Sequence, residues 1–162
     1  MAEKSGVNEQ TLVLIKPDAI QRGLVGQITQ RFEQKGLKLI GLKMMPLDEA
    51  VLREHYAHIA DKPFFGGVAK FMQSTPVIAM CWEGLEVVET VRRITGITKA
   101  REAESGSIRG DYAMSVACNV IHASDSVENA EAEVKRFFKD DEIHGYDKSE
   151  YMHVYAEDER AV

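Results

Sequence analysis

A chain of 162 residues, 44% hydrophobic and 28% charged, is long enough to bury one real core and too short to suggest two. A formal net charge of -6 and a sequence pI of about 5.4 exclude a surface built mainly to neutralise nucleic-acid phosphates. No apolar run reaches the length of a membrane span, and the polar stretch from Met1 to Gln10 lacks the apolar segment of a signal peptide. Cys81 and Cys118 each lie in an apolar run and form no C-x-x-C pair. The expectation is a cytoplasmic protein with two buried free thiols, residues 1–10 a flexible lead-in and residues 11–162 a single domain.

Thr11 to Ile15 is a short apolar run stopped by Lys16-Pro17-Asp18, which reads as a strand and a break. Leu24, Ile28 and Phe32 then recur at helical spacing until Gly36, a natural position just past a helix end. Leu37 to Met45 alternates as a strand does; Leu47 to Ile59 and Phe64 to Met72 look helical. Pro76 precedes a strand from Val77 to Trp82, and Glu86 to Ile94 forms a helix stopped at Gly96. Thr98 to Gly110 has weak periodicity and reads as a long surface loop. Val116 to Ile121 is mostly apolar and suits a buried strand. Ser124, Asp125 and Ser126 offer helix caps before Val127, Ala130, Val134, Phe137 and Phe138 repeat at helical spacing, with the two phenylalanines read as core. Beyond Gly145 the chain reads as an irregular tail with one alternating piece, Tyr151 to Tyr155.

Reduced to its main elements, the order is β-α-β, extra helix, β-α-β. That predicts an α+β, ferredoxin-like βαββαβ arrangement, an antiparallel sheet with helices on one face plus extra helices and a long loop. A doubly wound parallel sheet is the competitor, disfavoured by only four strands and a long loop before the last.

His122 stands where the last strand ends and a helix begins, held by rigid backbone near the free N–H groups of a helix start. Imidazole is a nitrogen nucleophile near neutral pH without large pKa tuning. Neither G-x-x-x-x-G-K-[ST] nor a helix-opening G-x-G-x-x-G occurs, so a phosphate would have to be held by side chains. The candidates are Lys16, Arg92 and Arg109. A carboxylate on the following helix could fix the imidazole tautomer, and periodicity leaves Glu131 and Glu133 both open.

Lys16-Pro17-Asp18, Gln21-Arg22-Gly23-Leu24, His55-Tyr56, Lys62-Pro63-Phe64-Phe65, Trp82-Glu83-Gly84, Ile108-Arg109-Gly110-Asp111 and Asn119-x-x-His122-x-Ser124-Asp125 together resemble the nucleoside diphosphate kinase family. The matches run in order from Thr11 to Phe138 without insertion or deletion. The resemblance implies a ferredoxin-like core, Mg2+-nucleotide substrates, and ping-pong transfer of a γ-phosphate between nucleoside tri- and diphosphates. It makes His122 the nucleophile, acting through Nδ1, with Glu133 and Ser124 orienting its ring and Tyr56 close by. Lys16, Arg92, Thr98 and Arg109 match phosphate-contacting positions. Asn119 and Lys16 match groups that hold the ribose 3′-hydroxyl, and Phe64 and Val116 the two faces against the base. It further implies that no protein side chain ligates the metal directly and that the chain forms a homo-oligomer, a hexamer or a tetramer. No nucleic-acid or membrane partner is expected. A catalytically silent nucleotide-binding scaffold of the same fold is the alternative reading.

Three positions depart from the family pattern. Ala123 replaces the usual glycine after the histidine and would be strained if φ there were positive. Ser105 replaces a common proline in a loop thought to shape subunit contacts, and Ser107 replaces threonine. His55 and His58, three apart on one predicted helix, are expected on an exposed face rather than as zinc ligands. His144 and His153 sit in polar surroundings that suggest nothing. Glu157 or Asp158 in the tail could reach a purine.

Overall fold

The computed structural model describes residues 7–160. Among them, strands β1 (Glu9–Ile15), β2 (Lys38–Met45), β3 (Val77–Gly84) and β4 (Ile121–Ala123) form one sheet in the order β2-β3-β1-β4. Every neighbouring pair is antiparallel. This is the expected ferredoxin-like arrangement, and the parallel alternative is excluded.

β1 lies at the centre of the sheet and is apolar on both faces, which is why it reads as a continuous hydrophobic run. Val13 and Ile15 enter one core with Ile28 and Phe32 of helix α2 (Val25–Gln34) and Val87 and Val91 of helix α5 (Val87–Thr95). Leu12 and Leu14 enter a second core on the opposite face. There they meet Leu52 of helix α3 (Glu49–His55), Phe65 and Met72 of α4 (Phe65–Met72), and Val134 and Phe137 of α7 (Val127–Phe137). The helices of β1-α2-β2 and β3-α5-β4 share one face, as the β-α-β reading requires, while α3, α4 and α7 cover the other. Complete burial of each large aliphatic side chain in these cores stabilises the fold by about 1.5–3 kcal/mol. Phe137 and Phe138 are both core, as expected.

Several boundaries differ from the sequence reading. Pro17–Gln21 forms a short helix, α1, after Lys16, because Pro17 fits the first helical turn. Glu9 and Gln10 are part of β1, pairing with Gly84 and Glu83, so the expected lead-in is shorter at this end; residues 1–6 lie outside the described part. The predicted helix over Leu47–Ile59 contracts to Glu49–His55, capped by Asp48, whose side chain accepts from the Val51 N–H at 2.8 Å. The Thr98–Gly110 loop holds a 3-10 turn (Ala100–Glu102) and the start of α6 (Ile108–Tyr112). Ser107 caps α6 by accepting from the Gly110 N–H. A five-residue helix is too short to show a period.

The predicted strand Val116–Ile121 is the largest displacement: pairing begins only at Ile121. Residues 115–118 bend at the surface, where the Ser115 hydroxyl accepts from the Ala117 and Cys118 N–H groups at 3.2 Å. Cys118 is therefore exposed, not buried, while Cys81 is buried as expected; both are free. In the tail, Tyr151–Val154 (α8) is a turn of helix, and a second, α9, spans Glu157–Arg160, so the alternation of residues 151–155 was not a strand.

Candidate active site

β4 is short but its register is strict: His122 pairs with Leu14 and Ala123 with Val13. Ala123 is thus extended strand, and positive φ among the described non-glycine residues falls instead on Glu86 and Val120. The missing glycine introduces no backbone strain at position 123. Val120, with φ of 67°, is fully buried, and a β-branched residue in that region is strained. Its N–H donates to Asp18 Oδ2 at 3.0 Å, and its carbonyl accepts from the Lys16 N–H at 3.0 Å. The turn before His122 is therefore pinned by the Lys16-Pro17-Asp18 break. Asp18 was not among the residues singled out from sequence.

A hydrogen-bonded chain runs from the ring. Glu133 Oε1 is 3.0 Å from His122 Nε2, and Ser124 Oγ donates to Glu133 Oε2. Ser124 Oγ also accepts from the Leu12 N–H at 3.3 Å, tying the chain to β1. Because an ionised carboxylate only accepts, this contact assigns the proton to Nε2 and leaves Nδ1 as the nitrogen with a free lone pair. Burial by itself raises Glu133; the hydrogen bond from His122, the His122 charge and the Ser124 hydroxyl together outweigh it and hold the carboxyl below its ordinary range. Geometry thus selects Glu133 where periodicity could not. Ser126, rather than Ser124 or Asp125, caps α7, accepting from the Asn129 N–H at 3.1 Å. Ser124 was unavailable, being committed to Glu133.

In front of the ring opens a cleft of about 1240 Å³ lined by Lys16, Tyr56, Arg92, Thr98, Arg109, Asn119 and His122. The three cations are held in place by backbone or side-chain acceptors. Lys16 Nζ donates to Asn119 Oδ1 at 2.7 Å, and Asn119 Nδ2 donates to the Thr98 carbonyl at 3.2 Å. Arg109 donates to the carbonyls of Ile121 at 2.6 Å, Gly96 at 2.9 Å and Asn119 at 3.4 Å. Arg92 donates to the Asp125 carbonyl at 2.6 Å. Burial, then the neighbouring Arg109 charge, lowers Lys16 to about 8, and burial, then Arg92, lowers Arg109 to about 10. Burial also raises the Tyr56 hydroxyl to about 12. Arg93, Arg136 and five carboxylates also line the cleft, but holding Lys16, Arg92 and Arg109 together against their mutual repulsion suits that part of it to an anion of high charge density.

The structure brings together His122, Glu133, Ser124, Tyr56, Lys16, Arg92, Thr98, Arg109 and Asn119. It leaves Phe64 and Val116 exposed, outside the lining of this cleft. His58 is exposed, as expected. His55 is not. It is 8% exposed, and its ring meets that of His122 edge-on with centroids 4.5 Å apart. The helix face that carries it packs onto α7 instead of facing solvent, which one helix's periodicity could not reveal. Burial, then the His122 charge, lowers His55 to about 3, so it is a neutral ring.

His55, His122 and Glu133 bring potential ligand atoms within 4.8 Å of one another. They make a poor cation cage, because Arg136 Nη1 stands 3.1 Å from His55 Nδ1 and already presents a positive charge there. Among the described residues no other such group occurs, and no helix is long and apolar enough to cross a membrane.

The family model for nucleoside diphosphate kinase matches residues 9–143. A nucleoside diphosphate kinase of Parabacteroides distasonis is 53% identical over 151 residues, which covers 93% of this chain and 99% of that one. Human nucleoside diphosphate kinase A is 49% identical over 147 residues, 91% of this chain and 97% of that one. Among solved structures, a halophilic nucleoside diphosphate kinase from Halobacterium salinarum in complex with CDP superposes with a TM-score of 0.89 at 46% identity, covering 92% of this chain and 99% of that one. With nearly its whole length matched in this way, the chain belongs to the nucleoside diphosphate kinase family.

Proposed function

We propose that this chain performs its family's reaction, moving the γ-phosphate of a nucleoside triphosphate to a nucleoside diphosphate, through a phosphohistidine at His122. The observation that carries the reading is the Glu133 contact: with Nε2 bonded to the carboxylate, Nδ1 is the nucleophilic nitrogen beside the cationic cleft. In the first half-reaction Nδ1 bonds to the γ-phosphorus as the bond from that phosphorus to its bridging oxygen breaks, and the nucleoside diphosphate leaves. The second half-reaction reverses these changes with a different diphosphate as acceptor.

The ring becomes cationic as Nδ1 attacks, and Glu133 stabilises that charge without moving. Lys16, Arg92 and Arg109 stabilise charge on the transferred and leaving oxygens, and the protein's task is otherwise positioning. Lys16, Arg92 and Arg109 would hold the phosphates of a magnesium nucleotide, the metal supplying further charge neutralisation when bound. Asn119 and Lys16, already bonded to each other, are read as the 3′-hydroxyl partners, and Phe64 and Val116, both exposed, as the two faces against the base. The physiological state is read as a cytoplasmic homo-oligomer, a hexamer or a tetramer, consistent with the frequency of closed symmetric assemblies.

Incubation with labelled ATP and no acceptor should leave acid-labile, base-stable phosphate on the protein, and His122→Ala should abolish both labelling and turnover while nucleotide binding survives. Comparable transfer by that variant would remove His122 from the role. Among acceptors, purine and pyrimidine diphosphates should differ modestly in kcat/KM. A 3′-deoxy acceptor should lose far more, since each polar group left unpaired costs about 1–3 kcal/mol.

A further inference from the structure

Glu133 and Arg136 lie three apart on α7, a spacing at which opposite charges ordinarily pair. Here they do not. Arg136 pairs through Nε with Glu54 Oε1 at 3.2 Å and points Nη1 at His55 Nδ1 at 3.1 Å. His55 Nδ1 is also 3.8 Å from Glu133 Oε1, so this one nitrogen faces both groups while engaging the guanidinium. A guanidinium only donates, so His55 Nδ1 is the acceptor and its proton lies on Nε2. That Nε2–H is buried without a partner among the described residues, so the tautomer is held at a cost and needs a compensating gain.

We propose that His55 is a positioning residue that insulates Glu133 from Arg136, reserving the carboxylate for the Nε2–H of His122. The inference rests on the reading of His122 as the nucleophile given above. Without the ring, Arg136 is free to swing along the helix face onto Glu133. A guanidinium there neutralises the carboxylate, weakens its hold on His122 Nε2–H, and removes the negative charge that stabilises the ring as it turns cationic during attack.

The surroundings suit this task. The charged and titratable groups around His55 are His122 on β4, Glu133 and Arg136 on α7, Lys16 after β1, and Tyr56 following His55 itself. Three of these are cationic or become so, and with burial they keep His55 neutral and therefore able to accept from Arg136. Phe137 holds the ring from another side, with centroids 5.1 Å apart at 88°.

The test compares His55→Phe, which keeps the ring's bulk and removes the acceptor, with His55→Asn, whose Oδ1 replaces Nδ1 as acceptor. His55→Leu serves where the phenylalanine does not fit. Each is made alone and with Arg136→Met. Steady-state kinetics gives kcat and KM, and 1H–15N NMR of the resting protein without nucleotide gives the fraction of His122 carrying its proton on Nε2. His55→Phe is expected to lower kcat at least about tenfold, as misorientation of a reacting group does, with little change in KM. It should also deplete the Nε2–H form of His122. Adding Arg136→Met should restore both quantities, and His55→Asn should retain both. Wild-type kcat and tautomer in His55→Phe would overturn the proposal. So would a loss that persists after Arg136 is removed, since that marks a packing defect only. Because the NMR measurement needs no turnover, it separates failure of this proposal from failure of the phosphohistidine reading, which the His122→Ala labelling experiment decides.

Discussion

Glu133→Gln is the sharpest perturbation of the reacting ring, because it removes one charge and almost no volume. Glu133 is 9% exposed and accepts from His122 at 3.0 Å and from Ser124. A hydrogen bond to a charged acceptor contributes about 1.5–3 kcal/mol against about 1 kcal/mol for a neutral pair. The difference, about 0.5–2 kcal/mol, grows in effect as the ring becomes cationic, so it falls on the transition state. At about 1.4 kcal/mol per factor of ten, kcat should drop by about 2- to 30-fold. KM should move much less, since Lys16, Arg92 and Arg109 remain. The assay is ATP formation from GTP and ADP under saturating and limiting substrate. Acid denaturation supplies a second reading. The Glu133 carboxyl is held below its ordinary 4.5, so its contribution to stability is present above that value and lost as pH falls through the folded-state value. Glu133→Gln should therefore lose less stability than the parent over that acid range. A folded variant with kcat equal to the parent's would refute the assigned role of the carboxylate.

Three further outcomes follow from particular contacts. Val120→Gly should be more stable than Val120→Ala by about 1 kcal/mol in urea unfolding, because both lose the buried side chain but only glycine relieves φ of 67°; the ordinary order, alanine above glycine, would show that the turn is not strained. Gly110→Ala should destabilise by at least about 1–3 kcal/mol, since a Cβ there would lie 1.9 Å from the Glu104 carbonyl oxygen, which is backbone and yields little; an unchanged unfolding midpoint would contradict that packing. Lys16, lowered to about 8 by burial and Arg109, binds its proton more weakly folded than unfolded, so its contribution to stability should rise with pH between about 8 and the ordinary 10.5. Lys16→Met should remove that rise while abolishing phosphate transfer, and an identical pH profile in the variant would place the titration elsewhere.

Much of the site was legible in the sequence because the chemistry is concentrated in local motifs. Lys16-Pro17-Asp18 and Asn119-x-x-His122-x-Ser124 each bring several functional groups within a few residues, and their ordered spacing carried the family resemblance. Failures cluster where local pattern and tertiary packing disagree. His55 looked like a residue on a solvated helix face because its own helix offers no sign of what lies opposite. Only the packing of α3 against α7 buries it beside His122. Val116 to Ile121 looked like one strand because apolar residues at a surface bend and in a strand are indistinguishable by hydrophobicity. Antiparallel pairing with β1 starts at Ile121, and the positive φ at Val120 separates the two.

By itself the sequence determined the fold class, through the order and period of its apolar segments, and named the candidate site groups, through the family resemblance that its ordered motifs carry. Tertiary structure decided which of those groups cooperate. Glu133 over Glu131, Ser126 over Ser124 as the helix cap, and His55 as a neighbour of His122 were all settled by approach between segments far apart in the chain. The physical reason is range. Periodicity, capping and turn chemistry act over a few residues and are written locally, whereas a hydrogen bond's partner is chosen by where packed elements bring atoms within about 3 Å of each other.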